Sequence, residues 1–239
     1  MSVPSLVLRS TASLDDTRVL CVPHMGAGSG AMRGFIKTAL EGHAVGAVRF
    51  PGRESRIREK PAQSVAALVQ EVIAAAFAFH GNGPLWLIGQ CSGALLAFEA
   101  ALHLAGTDRA VAGIVAVSSG GPSWPVPRPD ITSQVEIRDF LRTYGGTDDQ
   151  LLDNPMLMEL LLPQVLADLR AFADYHPSPR KWQGKAMVVR TADDPIVPAE
   201  ASDLWSHHVT EVQHITVGTR HLLLTEEPAE VWRAVITHL

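Results

Sequence analysis

Cysteine is scarce in this sequence: among 239 residues there are two, Cys21 and Cys91. Two thiols cannot knit a disulfide scaffold, and they suit a reducing compartment. Neither stands in a cysteine–histidine spacing of the kind that holds zinc, so no metal is expected. Runs of one charge are also missing. The net charge is −5 with the charges scattered, and no basic stretch interleaves with aromatics, which excludes a nucleic-acid partner. No apolar run approaches the roughly 20 residues needed to cross a bilayer. The opening stretch MSVPSLVLRSTASLDD lacks the basic start and apolar centre of a secretory signal. A cytoplasmic protein without a membrane partner is the expectation. Internal repeats and low-complexity segments are absent.

What is present is a well-mixed globular composition, 46% hydrophobic and 19% charged, at a length suited to one domain spanning 1–239 with a proper core. Short β-rich apolar runs alternate with helical patterns. Strands are expected at 5–10, 18–23, 44–52, 83–89, 111–119, 185–191 and 211–217. Helices are expected at 30–40, 64–80, 92–106, near 199–207 and from Pro228 to His238. Such alternation predicts βαβ units and a mostly parallel, doubly wound sheet with helices on both faces. The rhythm breaks after residue 119. GGPSWPVPRPD (120–130) is a Pro/Gly-rich connection, and 132–175 reads as consecutive helices, the last interrupted at Pro163. A helical insertion at the carboxyl edge of a parallel sheet lies where ligands bind, so about 120–180 is a candidate lid.

The most chemical stretch is LIGQCSGALLAFEA, residues 87–100. Gly-x-nucleophile-x-Gly between a buried strand and a helix is the nucleophile elbow of the α/β-hydrolase fold. Its sharp turn needs small flanking residues. Gly89 and Gly93 flank Cys91 in that way, whereas Gln90 and Ala94 would flank Ser92, so position favours Cys91 as nucleophile. A small buried cysteine that only packs is the plain alternative. In this fold an acid follows a late strand and a histidine follows the last one. ADDPIVP (192–198) offers Asp193 and Asp194, and Asp194 is favoured because it directly precedes the Pro-Ile-Val turn. GTRHLLL (218–224) offers His221, the one histidine of ten that falls just after the final strand. An oxyanion hole needs the N–H after the nucleophile, that of Ser92, and one from an early loop, where VPHMGAGSG offers Met25. That glycine-rich loop fits a phosphate-binding GxGxxG spacing poorly, and no acidic ribose partner follows it.

At this point the chain resembles a type II thioesterase of nonribosomal peptide and polyketide assembly lines. The resemblance runs through VPHMGAGSGAMRGF, VRFPGRESRIREKP, GQCSGALLAFE, the long lid stretch LRTYGGTDDQLLDNPMLMELLLPQVLADLRAFADY, DDPIVP and RHLLL. It implies a stand-alone, monomeric hydrolase with no cofactor of its own. Its substrates would be acyl chains held on the phosphopantetheine arms of acyl or peptidyl carrier proteins. Carried over residue by residue, the family's nucleophile falls on Cys91, its acid on Asp194, its base on His221 and its oxyanion donors on Met25 and Ser92. The chain departs from the family pattern around this site. The family elbow usually reads Gly-His-Ser-Met-Gly, and here Gln90, Cys91 and Ser92 take the middle positions. Thr219 and Arg220 stand where two glycines usually precede the histidine, and Met25, Gly26 and Ala27 replace alanine and paired glycines.

A cysteine attacking a thioester yields another thioester, so the acyl group keeps its activation and could pass to water or to another nucleophile. In the insertion, Leu151, Leu152, Met158, Leu161 and Leu162 are expected to form a core, while Met156 and Leu160 are candidates for lining the acyl pocket. Two other readings stand beside this one. One is a small-molecule hydrolase resembling dienelactone hydrolases, which also use Gly-x-Cys-x-Gly. The other is a non-catalytic carrier-binding protein.

Overall fold

The computed structural model describes residues 5–8, 13–39, 42–126, 134–144 and 149–239. Seven strands form one sheet: β1 (Leu6–Leu8), β2 (Thr17–Val22), β3 (His43–Val48), β4 (Leu85–Gln90), β5 (Gly113–Val117), β6 (Trp182–Arg190) and β7 (Val209–Thr216). Their spatial order is β1-β3-β2-β4-β5-β6-β7. Only β1 runs antiparallel to its neighbour, with Leu6 opposite Val48. The mostly parallel sheet read from the alternation is present. The central strands β4 and β5 are buried at every position, as strands covered on both faces must be.

Ten α-helices accompany the strands among the described residues: α1 (Arg33–Lys37), α2 (Val65–Ala78), α3 (Ser92–Leu104), α4 (Gln134–Tyr144), α5 (Asp149–Leu152), α6 (Pro155–Ala173), α7 (Ala199–Asp203), α8 (Trp205–His208), α9 (Leu223–Glu226) and α10 (Pro228–Val235). On one face, α2 and α3 bury Leu68, Val72, Leu96 and Phe98 against Leu20, Leu87 and Ala116. On the other, α1, α9 and α10 bury Phe35, Leu224, Val231 and Trp232 against Val19, Ile88 and Val115. Alternate residues of one strand thus feed opposite cores, the period-two signature of a strand. Helix boundaries are tighter than the periodicity suggests. The expected helix at 30–40 is a 3-10 turn (Ser29–Met32) followed by the short α1, and the stretch near 199–207 divides into α7 and α8.

Helices α4, α5 and α6 lie between β5 and β6, where consecutive helices were expected. They share a small apolar cluster of Ile137, Leu152, Met158 and Val165. Contrary to the expected interruption, α6 runs unbroken through Pro163. Pro163 is exposed, and one residue on the Gln164 side chain donates to the Leu160 carbonyl at 2.9 Å, a polar contact beside the ladder that proline weakens. The Gly145-Gly146-Thr147 part of the family-like stretch, the side chain of Leu151 and residues 127–133 lie outside the described residues. The C-terminal half of α6 is anchored in the main core by Ala171 and Phe172. It is tied down further by a buried ion pair. Asp168 meets the Arg53 guanidinium, both side chains are 3% exposed, and the same carboxylate accepts from the Gly26 N–H at 2.7 Å.

Removing one partner of such a pair strands the other charge in the interior. Asp168→Ala is expected to destabilise the fold by about 3–5 kcal/mol in urea unfolding. Asp139→Ala, which breaks the exposed Arg142 pair on α4, is expected to cost under about 1 kcal/mol. Equal effects at the two positions would refute the assignment of Asp168 as the anchor of α6.

Candidate active site

All the candidate chemical groups stand at the carboxyl edge of the sheet, on turns that leave β2, β4, β6 and β7. Strands β2 and β4 are neighbours, yet the chain departs from β2 toward β3 and from β4 toward β5. This reversal opens a crevice between the two turns, the usual ligand position in a doubly wound sheet.

The turn after β4 is built around Cys91. Its backbone sits at φ 51°, ψ −122°, a region that costs a non-glycine residue strain, and Ser92 begins α3 directly. The N–H of Cys91 donates to the Val117 carbonyl of β5 at 2.8 Å, which fixes the turn to the sheet. Both flanking glycines are sterically required. A methyl group on Gly89 would lie 2.3 Å from the Gly93 carbonyl oxygen, and one on Gly93 would lie 2.3 Å from that of Val22. The strained backbone identifies Cys91 as the residue presented at the turn, while Ser92 is helical. Cys91 is a partly exposed free thiol, in contrast to the fully buried Cys21.

His221 lies beyond β7 with its side chain 4% exposed, and its Nδ1 is 2.9 and 3.0 Å from the two oxygens of Asp194. An ionised carboxylate only accepts, so Nδ1 is the donor and Nε2 is left for the other side of the ring. The Cys91 thiol lies close enough to the same imidazole to act on its titration. Asp194 is itself fixed by the N–H groups of Ile196 and Val197 at 2.8 and 3.0 Å, the turn that distinguished it in the sequence. Asp193 is exposed. Burial pulls the His221 imidazole down, but the hydrogen bond to Asp194 and the nearby Cys91 and Asp194 groups outweigh it and raise the pKa to about 9. Burial raises the Asp194 carboxyl, and the His221 contact with the two backbone donors more than offsets it, leaving it below the ordinary range.

The glycine-rich loop after β2 is filled by the protein's own carboxylates. Asp168 takes the Gly26 N–H, and Glu54 takes the Gly30 N–H at 2.7 Å together with the Ser29 hydroxyl. Arg53 donates to the Ala27 carbonyl. A loop whose N–H groups already hold carboxylates is not a phosphate cradle. The Ser92 N–H lies in the first turn of α3, where helix N–H groups lack intrahelical partners. The Met25 N–H, expected to aim at a substrate oxygen, donates instead to the Ser92 hydroxyl at 2.8 Å.

Met156 and Leu160 are not brought to Cys91 by any packing. They are 73% and 55% exposed on the N-terminal half of α6, whereas Leu152 and Met158 are buried as expected.

Several participants escaped the sequence reading. His24 lies close enough to His221 and Arg53 for their charges to act on it. Burial, followed by those two charges, pushes its pKa down to about 3, so it is neutral. Its adjacency to Met25 was the available signal. Gln90, where the family has histidine, accepts from the Leu224 N–H at 2.7 Å and so ties the elbow to the turn that carries His221. Thr219, one of the residues replacing paired glycines, is held by Glu227 through both its N–H and its hydroxyl at 2.9 Å.

The fold and the sequence both have counterparts among known proteins. The family model described as Thioesterase domain matches residues 17–238. The chain belongs to that family. Phenyloxazoline synthase MbtB of Mycobacterium tuberculosis is 33% identical over 179 residues, 72% of this chain and 12% of that protein. AMB antimetabolite synthetase AmbE of Pseudomonas aeruginosa is 27% identical over 93% of this chain and 11% of its own length. The chain therefore spans only about a tenth of these large relatives. Thioesterase PikA5 of Streptomyces venezuelae matches on a comparable scale, 29% identical over 93% of this chain and 80% of that one. Among solved structures, RedJ, a thioesterase from the prodiginine pathway of Streptomyces coelicolor, superposes with a TM-score of 0.81 at 26% identity, covering 99% of this chain and 94% of that one. The type II thioesterase BorB shares the fold, with a TM-score of 0.85 at 24% identity over 98% and 96% of the two chains.

A raised histidine pKa links this site to stability. The folded value of about 9 lies above the ordinary 6.5, so the Asp194–His221 bond contributes stability that is complete below about pH 6.5 and is lost as pH rises through about 9. Urea unfolding of the unaltered chain and Asp194→Asn is expected to show a stability difference that shrinks between about pH 6 and about pH 10. A difference that stays constant across that window would contradict the assigned pairing.

Proposed function

We propose that this chain is a type II thioesterase serving a nonribosomal peptide or polyketide pathway in the cytoplasm, with Cys91 as nucleophile, His221 as base and acid, and Asp194 as the group that orients it. The observation that carries the reading is a thiol on the strained elbow turn, close to an imidazole whose Nδ1 meets a buried carboxylate. The thioesterase family, the name of the thioesterase PikA5, the prodiginine pathway of RedJ and the helical insertion between β5 and β6 support it. The substrate is an acyl chain delivered on the phosphopantetheine arm of a carrier protein, and α4–α6 act as the lid over it.

The Cys91 thiol gives its proton to His221, its sulfur attacks the thioester carbonyl carbon, and the carbonyl π pair moves onto oxygen. Collapse of the tetrahedral intermediate expels the pantetheine sulfur, which takes its proton from the His221 imidazolium. The product on the enzyme is again a thioester, so little activation is lost in this step. His221 then removes a proton from water or from another acceptor as that nucleophile attacks the S-acyl carbon, and the Cys91 thiolate leaves. Asp194 keeps Nδ1 protonated and the ring oriented throughout. Water as acceptor releases a free acid. An amine or alcohol gives a conjugate, which an S-acyl intermediate permits more readily than an oxyester.

Intact-mass measurement after mixing with an acyl-loaded carrier tests this. An acyl adduct on Cys91 is expected in the unaltered chain and none in Cys91→Ala. An adduct that persists in Cys91→Ala, or sits on Ser92, would overturn the assignment of the nucleophile. Activity on free lactones with none on pantetheine thioesters would replace the carrier-bound substrate with a small molecule.

A further inference from the structure

The hydrogen bond between the Met25 N–H and the Ser92 hydroxyl has a chemical consequence for the candidate oxyanion hole. A backbone N–H has one proton, and this one is directed at Ser92. The Ser92 hydroxyl makes no other hydrogen bond among the described residues, so its own proton is available. Ser92 is 5% exposed and belongs to the first turn of α3, directly after Cys91. Its hydroxyl therefore lies in a largely dry position, held by the Met25 N–H on the residue that directly follows Cys91. The methionine usual at this point of the family elbow has no hydroxyl to place there.

We infer that the Ser92 hydroxyl is a catalytic residue of the oxyanion hole, donating its proton as a hydrogen bond to the substrate oxygen while the Met25 N–H supports it from behind. This rests on the proposed Cys91 chemistry. A hydroxyl that accepts from an N–H is a stronger donor in turn, because chained hydrogen bonds polarise one another. As Cys91 adds to the carbonyl carbon, the oxygen gains a full charge. It is then met by the Ser92 N–H and the Ser92 O–H, both from one residue. No proton changes owner: the oxyanion returns its electron pair to the carbonyl when the leaving sulfur departs, and Ser92 ends as it began. Met25 becomes a positioning residue rather than a direct donor.

The test compares two reactions of the same thiol in the full chain. Acylation by an acyl-pantetheine develops an oxyanion, whereas alkylation by iodoacetamide displaces iodide from a saturated carbon and develops none. Ser92→Ala is expected to slow Cys91 acylation about a hundredfold, the loss typical of one hole donor, with the loss in kcat rather than KM. Its alkylation rate and pH profile are expected to match the unaltered chain. Ser92→Thr, which keeps the hydroxyl, is expected to restore acylation to within about tenfold. Should the alanine variant not fold, Ser92→Gly carries the same expectation. Acylation that is unchanged or faster in the hydroxyl-free variants would overturn the inference, because the hydroxyl would then be idle or would block the Met25 donor. Parallel loss of acylation and alkylation would also overturn it, since Ser92 would then act on the nucleophile. Absence of any Cys91 adduct in the unaltered chain would overturn the proposed function itself, whereas a normal adduct formed equally fast without the hydroxyl would overturn only the role of Ser92.

Discussion

The close approach of α3 to the end of β2 governs the site. Gly93 sits against the carbonyl oxygens of Val22 and Pro23, and Gly89 sits against the backbone of Gly93 and Ala94, at distances that exclude any side chain. With the helix start held there, the one residue between β4 and α3 is forced to positive φ, and that residue is Cys91. The strain is tolerated because the surrounding strands are buried and hydrogen-bonded and leave the turn no alternative. The same approach brings the loop after β2 over the first turn of α3, which sets Ser92 within hydrogen-bond reach of Met25.

A second layer of contacts holds the partners of that turn in place. Arg53 and Glu54 come from one short stretch after β3, and Asp168 comes from α6. Together they occupy the Gly26 and Gly30 N–H groups, the Ser29 hydroxyl and the Ala27 carbonyl of the glycine-rich loop. The insertion is coupled to that loop through the buried Asp168 carboxylate. On the other flank, Gln90 and Glu227 fix the turn that bears His221. Residues that break the family pattern around the site are therefore compensated locally. Glycine freedom before the histidine is replaced by a threonine that a carboxylate clamps, and the elbow histidine is replaced by a glutamine that reaches Leu224.

The electrostatics follow from burial. Two imidazoles close to one another are driven to opposite protonation states: burial and the charges of His221 and Arg53 keep His24 neutral, while His221 faces Asp194 and the Cys91 thiol and is driven toward the cation. One positive ring beside the thiol is what a thiolate nucleophile requires. A second, charged His24 would work against it.

The run of strands along the chain, the identity of the turn residue and the pairing of Asp194 with His221 were legible in the sequence because each depends on local pattern. Alternating apolar periods define the strands, paired glycines mark a tight turn, and Asp194 heads its own turn through Ile196 and Val197. The continuity of α6 through Pro163 was not legible, since proline's local preference was outweighed by anchoring of both ends of the helix in apolar clusters. Nor could the sequence show where Met156 and Leu160 face, because an apolar residue on a helix is silent about which side its neighbours occupy. Pairings across long separations were equally hidden: Gly26 with Asp168, Gln90 with Leu224, Met25 with Ser92. The sequence by itself determined the fold and the chemical groups at the ends of its strands. Only the tertiary structure decided which hydrogen-bond donors those groups leave available, because that depends on side chains brought together from distant parts of the chain.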